Sequence, residues 1–347
     1  LTVAMLGSLL AGCGSSGGGS APKADATAAA APAGGGTEEV TTPDKVLKFT
    51  DQNAEDSPAG MWEQKFADLV KEYTKGHIEV ELYFNNTLCG YDIQPLQAGI
   101  CDFIQYVPSS AGDLDSRLGA FDAPYIYRDA DHRLAVFDPF NSEPLKVINE
   151  ALKDDGVMLL SSFNSGYRQI TCNFPIRNLS DMKGAKIRVV PSDLYQQLFT
   201  AFGAAATPMA FSEVPTALIT NVIDGQENPY SVIVSSALYE VQKYCMETNH
   251  LPTNHGLWMN RNTYESLTPE QQEAVLKAAY DASAYMDKYI LDKVEEYKKI
   301  CEDNGMEIID AENGLDIDGF KAAAENVYDY FAEDWGDMPD LIRAVQP

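Results

Sequence analysis

The sequence predicts an α/β fold of two similar lobes spanned by one long helix. Three observations carry this: a strand–helix–strand alternation beginning at Val46, a second α/β block beginning near Val157, and an unbroken helical run from Thr268 to Asn304. In the first block, Val46-Leu47-Lys48-Phe49 is a short apolar strand. Trp62, Phe66, Leu69 and Val70 then recur at helical spacing, Gly76 stops that helix, and Ile78-Glu79-Val80-Glu81-Leu82 alternates as a strand. Pro95-Leu96-Gln97-Ala98 reads as a short helix and 102–107 as a buried strand. In the second block the strands are Val157-Met158-Leu159-Leu160, 167–171 and 186–190, the last ended by Pro191. A helix over 193–202 follows, and Ser212 is expected to cap another through Ala217 and Leu218. The chain is expected to cross between lobes near 164–166 and 252–256.

The long helix is the plainest element. Thr268 suits the N-cap, Pro269 the first helical position and Gln271 the third, and Asn304-Gly305 stops it. Roughly 35 residues make a rod of about 50 Å, longer than one small domain is wide. Its predicted apolar stripe is Val275, Ala278, Ala282, Tyr285, Tyr289, Val294 and Tyr297.

The chain of 347 residues carries 25 Lys+Arg against 52 Asp+Glu, a formal net charge of −27. That field repels phosphate backbones and excludes nucleic acid as a partner. It also opposes docking on anionic lipid. At the N-terminus, residues 1–12 form an apolar stretch ending in small residues, with Leu10-Ala11-Gly12-Cys13 at its end. It is too short to span a bilayer and reads as the remnant of a secretory signal. The tetrapeptide resembles a bacterial lipobox, which makes Cys13 the expected lipidation site. Residues 14–44 are rich in Gly, Ser, Ala and Pro and are expected to be a disordered tether. The remaining cysteines, Cys89, Cys101, Cys172, Cys245 and Cys301, are odd in number and lack close spacing. They are expected to be mostly buried thiols, with one disulfide possible in principle.

Two arginines stand where a charge is costly. Arg188 is the middle of the apolar run Ile187-Arg188-Val189-Val190, and Arg168 precedes Gln169-Ile170-Thr171. A guanidinium there needs an anion, either a ligand carboxylate gripped by its planar fork or an internal Asp or Glu. His250 can hydrogen-bond a ligand or serve as a structural histidine. Its spacing of five from His255 gives no metal-ligand pattern. Asp224 and Glu227 are read as bracing a turn and the adjoining helix. No phosphate-binding or nucleophile motif is present, so neither cofactor, metal nor catalytic residue is expected.

The segments Pro208-Met209-Ala210-Phe211-Ser212-Glu213-Val214 and Ile223-Asp224-Gly225-Gln226-Glu227-Asn228-Pro229 resemble the substrate-binding proteins of TRAP-type (tripartite ATP-independent periplasmic) transporters. So do Gly166-Tyr167-Arg168 with Pro175-Ile176, the run 179–189, Thr248-Asn249-His250 and Ala123-Pro124-Tyr125-Ile126-Tyr127. The likeness covers about residues 45–340 in order. It implies a two-lobed, periplasmic-binding-protein-like fold that captures a small carboxylate without catalysis. It implies Arg188 as the main carboxylate ligand, Arg168 as its assistant, Asn228 pointing into the cleft and Phe211 packing on the ligand. Asn53 would contribute from the other lobe. Sialic-acid-binding members have a carboxylate where this chain has Val107 and an amide where it has Pro191, so smaller organic acids or sugar acids are expected instead.

The resulting expectation is a lobe I of 45–165 plus about 254–292 and a lobe II of 166–253 plus about 293–347. The partners would be a small carboxylate and the transporter's membrane subunits, with a lipid anchor as the one membrane attachment, at the outer face of a cell membrane or in the periplasm. A lipid-anchored secreted hydrolase and a surface receptor with no transport role are the alternatives.

Overall fold

The computed structural model describes residues 42–347, so Cys13 and nearly all of the tether lie outside the described residues. Eleven strands form two sheets. They are β1 (Lys45–Thr50), β2 (Ile78–Tyr83), β3 (Phe103–Tyr106), β4 (Val157–Asn164), β5 (Arg168–Cys172), β6 (Lys186–Val189), β7 (Ala205–Pro208), β8 (Gly225–Pro229), β9 (Tyr244–Met246), β10 (Asn254–Asn260) and β11 (Glu307–Ile309). The first sheet has the order β2-β1-β3-β10-β4 and the second β11-β9-β5-β8-β6-β7. Each mixes parallel and antiparallel pairs. In the first, β1 runs parallel to β2 and β3, while β10 runs antiparallel to β3 and β4.

The alternating pattern of β1 and β2 turns Leu47, Phe49, Ile78 and Val80 onto an apolar face. Helix Pro58–Tyr73 covers that face with Trp62, Phe66, Leu69 and Val70, its first turn closed by the Ser57 hydroxyl accepting from Gly60 N at 3.1 Å. Phe49 meets Phe66 edge-on at 5.9 Å and Phe103 at 5.9 Å. β5 and β8 are buried along their whole length, as expected of central strands covered on both faces.

The long helix is Pro269–Asp303, with the full capping box at Thr268 and Gln271. Its buried side is Val275, Ala278, Ala279, Ala282, Met286 and Ile290. Tyr285, assigned to the stripe from sequence, is 48% exposed, because the contact line drifts one position to Met286 as the helix passes the first lobe. The helix packs on β4 and on helix Pro58–Tyr73 in the first lobe, then on Tyr230–Ser235 and β11 in the second. Ser212 also differs from expectation. It sits in a one-turn 3-10 helix, Phe211–Glu213, and the following helix Val214–Ile219 has no side-chain cap.

The chain passes between lobes at β4–β5 and at β9–β10, and the two passages lie side by side. Ser165 N donates to Thr253 O at 3.0 Å, Arg168 N to Leu251 O at 2.9 Å and His250 N to Arg168 O at 3.3 Å. A buried ion pair ties the long helix to both. Arg133 is bonded to Asp287 of the helix, and it also donates to Asn254 Oδ1 and Ser162 O, each at 3.1 Å. Asp287 Oδ1 accepts from Asn164 N at 2.8 Å. The chain's last portion departs from the sequence-based allotment to the second lobe. After Ile317–Tyr330, which packs on the second lobe, helices Ala332–Trp335 and Met338–Ala344 lie on the first. Ser116 Oγ donates to Asp334 O at 2.7 Å, and Arg128 donates to the carbonyls of Arg343 and Val345. The five cysteines among the described residues are unpaired, and four of them are buried.

Asp287→Ala would leave Arg133 buried without its counter-charge, so urea unfolding is expected to show a loss of about 3–5 kcal/mol. A change below about 1 kcal/mol would mean that the pair does not hold the hinge.

Candidate functional site

Strands β5, β6 and β8 lie next to one another and bring Arg168, Arg188 and Asn228 onto the second lobe. The two arginines differ in what surrounds them. Arg168 opens β5, beside Pro229 of antiparallel β8, so Glu227 and Asn228 fall within reach. Its Nε is bonded to Glu227 Oε2, and its Nη2 donates to Glu227 Oε1 at 2.9 Å, Glu227 O at 3.0 Å and Asn228 Oδ1 at 3.0 Å. The ring of Tyr195 lies 5.3 Å from the guanidinium carbon. Burial alone would lower the Arg168 pKa, but Glu227 outweighs it and holds the group above its usual value. Burial alone would raise Glu227. Arg168 and the His250 hydrogen bond instead hold it below the usual carboxylate range. The pair is neutral as a unit.

Arg188 has no such compensation. It is 3% exposed, and its Nε and Nη2 donate to Met209 O at 2.9 and 2.8 Å. No ion pair to it exists among the described residues. Burial lowers its pKa and the like charge of Arg168 adds to that, while Glu227 and Tyr195 oppose it only at a distance. A guanidinium carries five N–H donors, so donors remain for a guest. Phe211, 38% exposed, places its ring 5.6 Å from the Arg188 guanidinium carbon, an aromatic lip beside the charge. The net charge of Arg168, Arg188 and Glu227 together is +1.

The other site residues expected from sequence fall in different places. Asn228 is buried, its Oδ1 engaged by Arg168 and its Nδ2 donating to Gln226 Oε1. Gln226 donates onward to Thr171 Oγ1 at 2.8 Å. His250 is fully buried, with Nδ1 2.8 Å from Thr248 Oγ1 and Nε2 3.3 Å from Glu227 Oε2, so it backs the ion pair. Asn53 is in the first lobe, where its Nδ2 donates to both oxygens of Asp51. Five residues therefore gather on one lobe and Asn53 stands on the other. Cys13 lies outside the described residues. Asp224 braces β6, accepting from Lys186 N at 2.8 Å.

Sequence reasoning missed Tyr195, the Met209 carbonyl and the division of labour that Glu227 imposes. It also missed a first-lobe group beyond the end of β1: Asp51, Glu63 and His255. Burial, with Asp51 beside it, holds the Glu63 carboxyl well above the usual range. His255 stacks on Phe163 at 4.6 Å with its Nε2 3.0 Å from Ser165 Oγ, and burial pushes its pKa down to about 4. Buried Asp and Glu are rare enough in sequence to be read as surface groups, so no pattern announced them.

Two α/β lobes joined by paired crossings and a spanning helix, one lobe presenting an uncompensated buried cation, define a protein built to hold an anionic guest between its halves. The chain belongs to the bacterial extracellular solute-binding protein family 7, whose model matches residues 49–334. It is 30% identical over 303 residues to the 2,3-diketo-L-gulonate-binding periplasmic protein YiaO of Escherichia coli, covering 86% of this chain and 90% of the relative. A TRAP periplasmic solute-binding protein from Rhodobacter sphaeroides in an open, ligand-free state is 29% identical. It superposes with a TM-score of 0.80 over 87% of this chain and 99% of the other. One from Xanthobacter autotrophicus with bound β-D-galacturonate is also 29% identical, with a TM-score of 0.72 over 86% and 100%. The protein is accordingly a solute-binding component of TRAP-type transport.

A folded pKa of about 4 for His255 against about 6.5 unfolded means that the unfolded chain binds the extra proton in that window. Stability is expected to be full above about pH 6.5 and to fall as acid approaches pH 4, with His255 contributing on the order of 3 kcal/mol of the loss. In His255→Phe, which keeps the stack, urea unfolding across that range should show a total loss of stability smaller by that amount. An unchanged loss would remove His255 as the cause.

Proposed function

We propose that the chain captures a small organic acid between its lobes, with Arg188 as the anchor of the ligand carboxylate. The uncompensated burial of Arg188 is the observation that carries this reading. A buried cation with free donors is costly until an anion meets it. A carboxylate there would gain charge-assisted hydrogen bonds while relieving that cost. Arg168 assists through the field of a rigid, already neutralised pair and through Asn228, which it holds in place. Phe211 packs against the guest, and His250 keeps Glu227 oriented. Asn53 approaches from the first lobe, so both halves are engaged only when the lobes close. Closure changes the outer surface, and the membrane subunits of the transporter read that change as occupancy. A sugar acid or another organic acid fits this reading, and the likeness to relatives named for diketogulonate and bound to galacturonate supports it.

The expected contrast between the arginines tests the assignment. Arg188→Ala should leave the melting temperature of the free protein unchanged or raised, because it removes an unpaired buried charge. It should weaken carboxylate binding by about 100-fold or more in calorimetric titration. Arg168→Ala should instead lower stability by about 3–5 kcal/mol by stranding Glu227. Full carboxylate affinity in folded Arg188→Ala would overturn the anchor.

We further infer that Cys13 is lipidated and that residues 14–44 tether the lobes to the outer face of a membrane. The reading rests on Leu10-Ala11-Gly12-Cys13 ending an apolar run directly before a Gly/Ser/Ala-rich segment. Metabolic labelling with an alkyne fatty acid should mark the wild-type protein expressed in a bacterium and not Cys13→Ser. Equal labelling of both would refute it.

A further inference from the structure

The first-lobe sheet carries a polar wall at its carboxyl end. Along β1, β3 and β10 one face is apolar: Phe49, Phe103 and Leu257 pack under helix Pro58–Tyr73. Two residues further along each line, with side chains on the same face, stand Asp51, Gln105 and His255. The register puts Thr50 opposite Ile104, which sets Asp51 beside Gln105, and puts Gln105 opposite Leu257, which leaves His255 at the next same-face position along β10. Glu63, next to Trp62 on the covering helix, comes down beside Asp51, and Trp62 and His255 both pack on Phe163.

These groups are buried and incompletely partnered. Glu63 is 0% exposed and Gln105 is 1% exposed. Both Gln105 amide atoms and His255 Nδ1 have no hydrogen-bond partner among the described residues, and Glu63 has only the Asp51 carboxyl to bond to. Three orphaned atoms in one patch are outside the ordinary run of buried polar groups, which almost always find partners. The wall lies where ligands of open α/β sheets bind, beyond the carboxyl ends of the parallel strands β1 and β3. Burial and the neighbouring Asp51 favour the protonated form of Glu63, and burial favours the neutral imidazole of His255. The wall then offers donors and acceptors together, with the Asp51 carboxylate as its one charge.

We propose that Asp51, Glu63, Gln105 and His255 form the first lobe's half of the ligand site and select the hydroxyl-bearing end of a polyhydroxylated monocarboxylate. The proposal rests on Arg188 holding the carboxylate at the other end. A hydroxyl group both donates and accepts, so it can answer the Asp51 carboxylate, the Gln105 amide, the Glu63 carboxyl and His255 Nδ1 in turn. A second carboxylate only accepts, and it would meet Asp51 as a like charge in a dry gap. The wall therefore discriminates by leaving buried polar groups unpaired when the wrong guest enters, the arrangement that gives the largest selectivity per group.

The test is calorimetric titration of the whole chain at neutral pH with D-galacturonate, L-galactonate, succinate and the zwitterion ectoine, alongside thermal unfolding. At least one of the two sugar acids should bind about 100-fold tighter than succinate. Gln105→Leu, a near-isosteric apolar replacement, and Asp51→Asn should each weaken that sugar acid by about tenfold or more without lowering the melting temperature. Asp51→Asn should also strengthen succinate. Succinate or ectoine binding as tightly as the sugar acids would overturn the proposal, as would folded variants with unchanged sugar-acid affinity. If the wall variants lose affinity while Arg188→Ala keeps it, the wall stands and the carboxylate anchor falls. If none of the four binds, both fall.

Discussion

The site depends on one fully buried carboxylate. Glu227 takes up the charge of Arg168 with three of that guanidinium's bonds and leaves Arg188 with none. Were both arginines unpaired, their mutual repulsion and double desolvation would set a large cost against folding. Were both paired, no charge would be left for a guest. The single internal acid divides the work. One arginine becomes rigid scaffolding that fixes β5 against β8, and the other stays electrostatically unfinished. His250 and Thr248 extend the scaffold by fixing Glu227 from behind, and Gln226 with Thr171 does so along the sheet. The strand-to-strand adjacency of β5, β8 and β6 makes this possible, since it places residues 55 to 60 positions apart within hydrogen-bond reach.

Much of this was legible in the sequence. The long helix announced both its ends, because capping chemistry is local and Thr268, Pro269 and Gln271 act within one turn. Arg188 announced itself by interrupting an apolar strand, and burial of that strand is a local property too. What could not be read were choices made across space. Either an internal acid or a ligand would satisfy a buried arginine, and only the pairing of β5 with β8 gives Glu227 to Arg168 and withholds it from Arg188. Asp51 and Glu63 looked like two of many acids in a chain rich in them. Ser212 carries a good capping side chain, yet the backbone makes a 3-10 turn there and Pro215 opens the next helix without it.

The hinge shows the same contrast of rigid and unfinished parts. Arg133 and Asp287 join the long helix to both crossing strands at a single buried point. The crossing segments are hydrogen-bonded to each other on either side of it. On the proposed closure, this point would serve as the pivot about which the two sheets turn.

Because the final helices return to the first sheet's side, the described chain both begins and ends on the same half of the molecule. Among the described residues, the half bearing Arg188 is built from internal segments: β5 to β9, β11 and Ile317–Tyr330. A fluorophore or fusion attached near Lys45 or near Val345 would ride with the stationary half. A label on the Arg188 half, in the segment from β5 to β9, in β11 or in Ile317–Tyr330, paired with one at either end, would report the proposed closure.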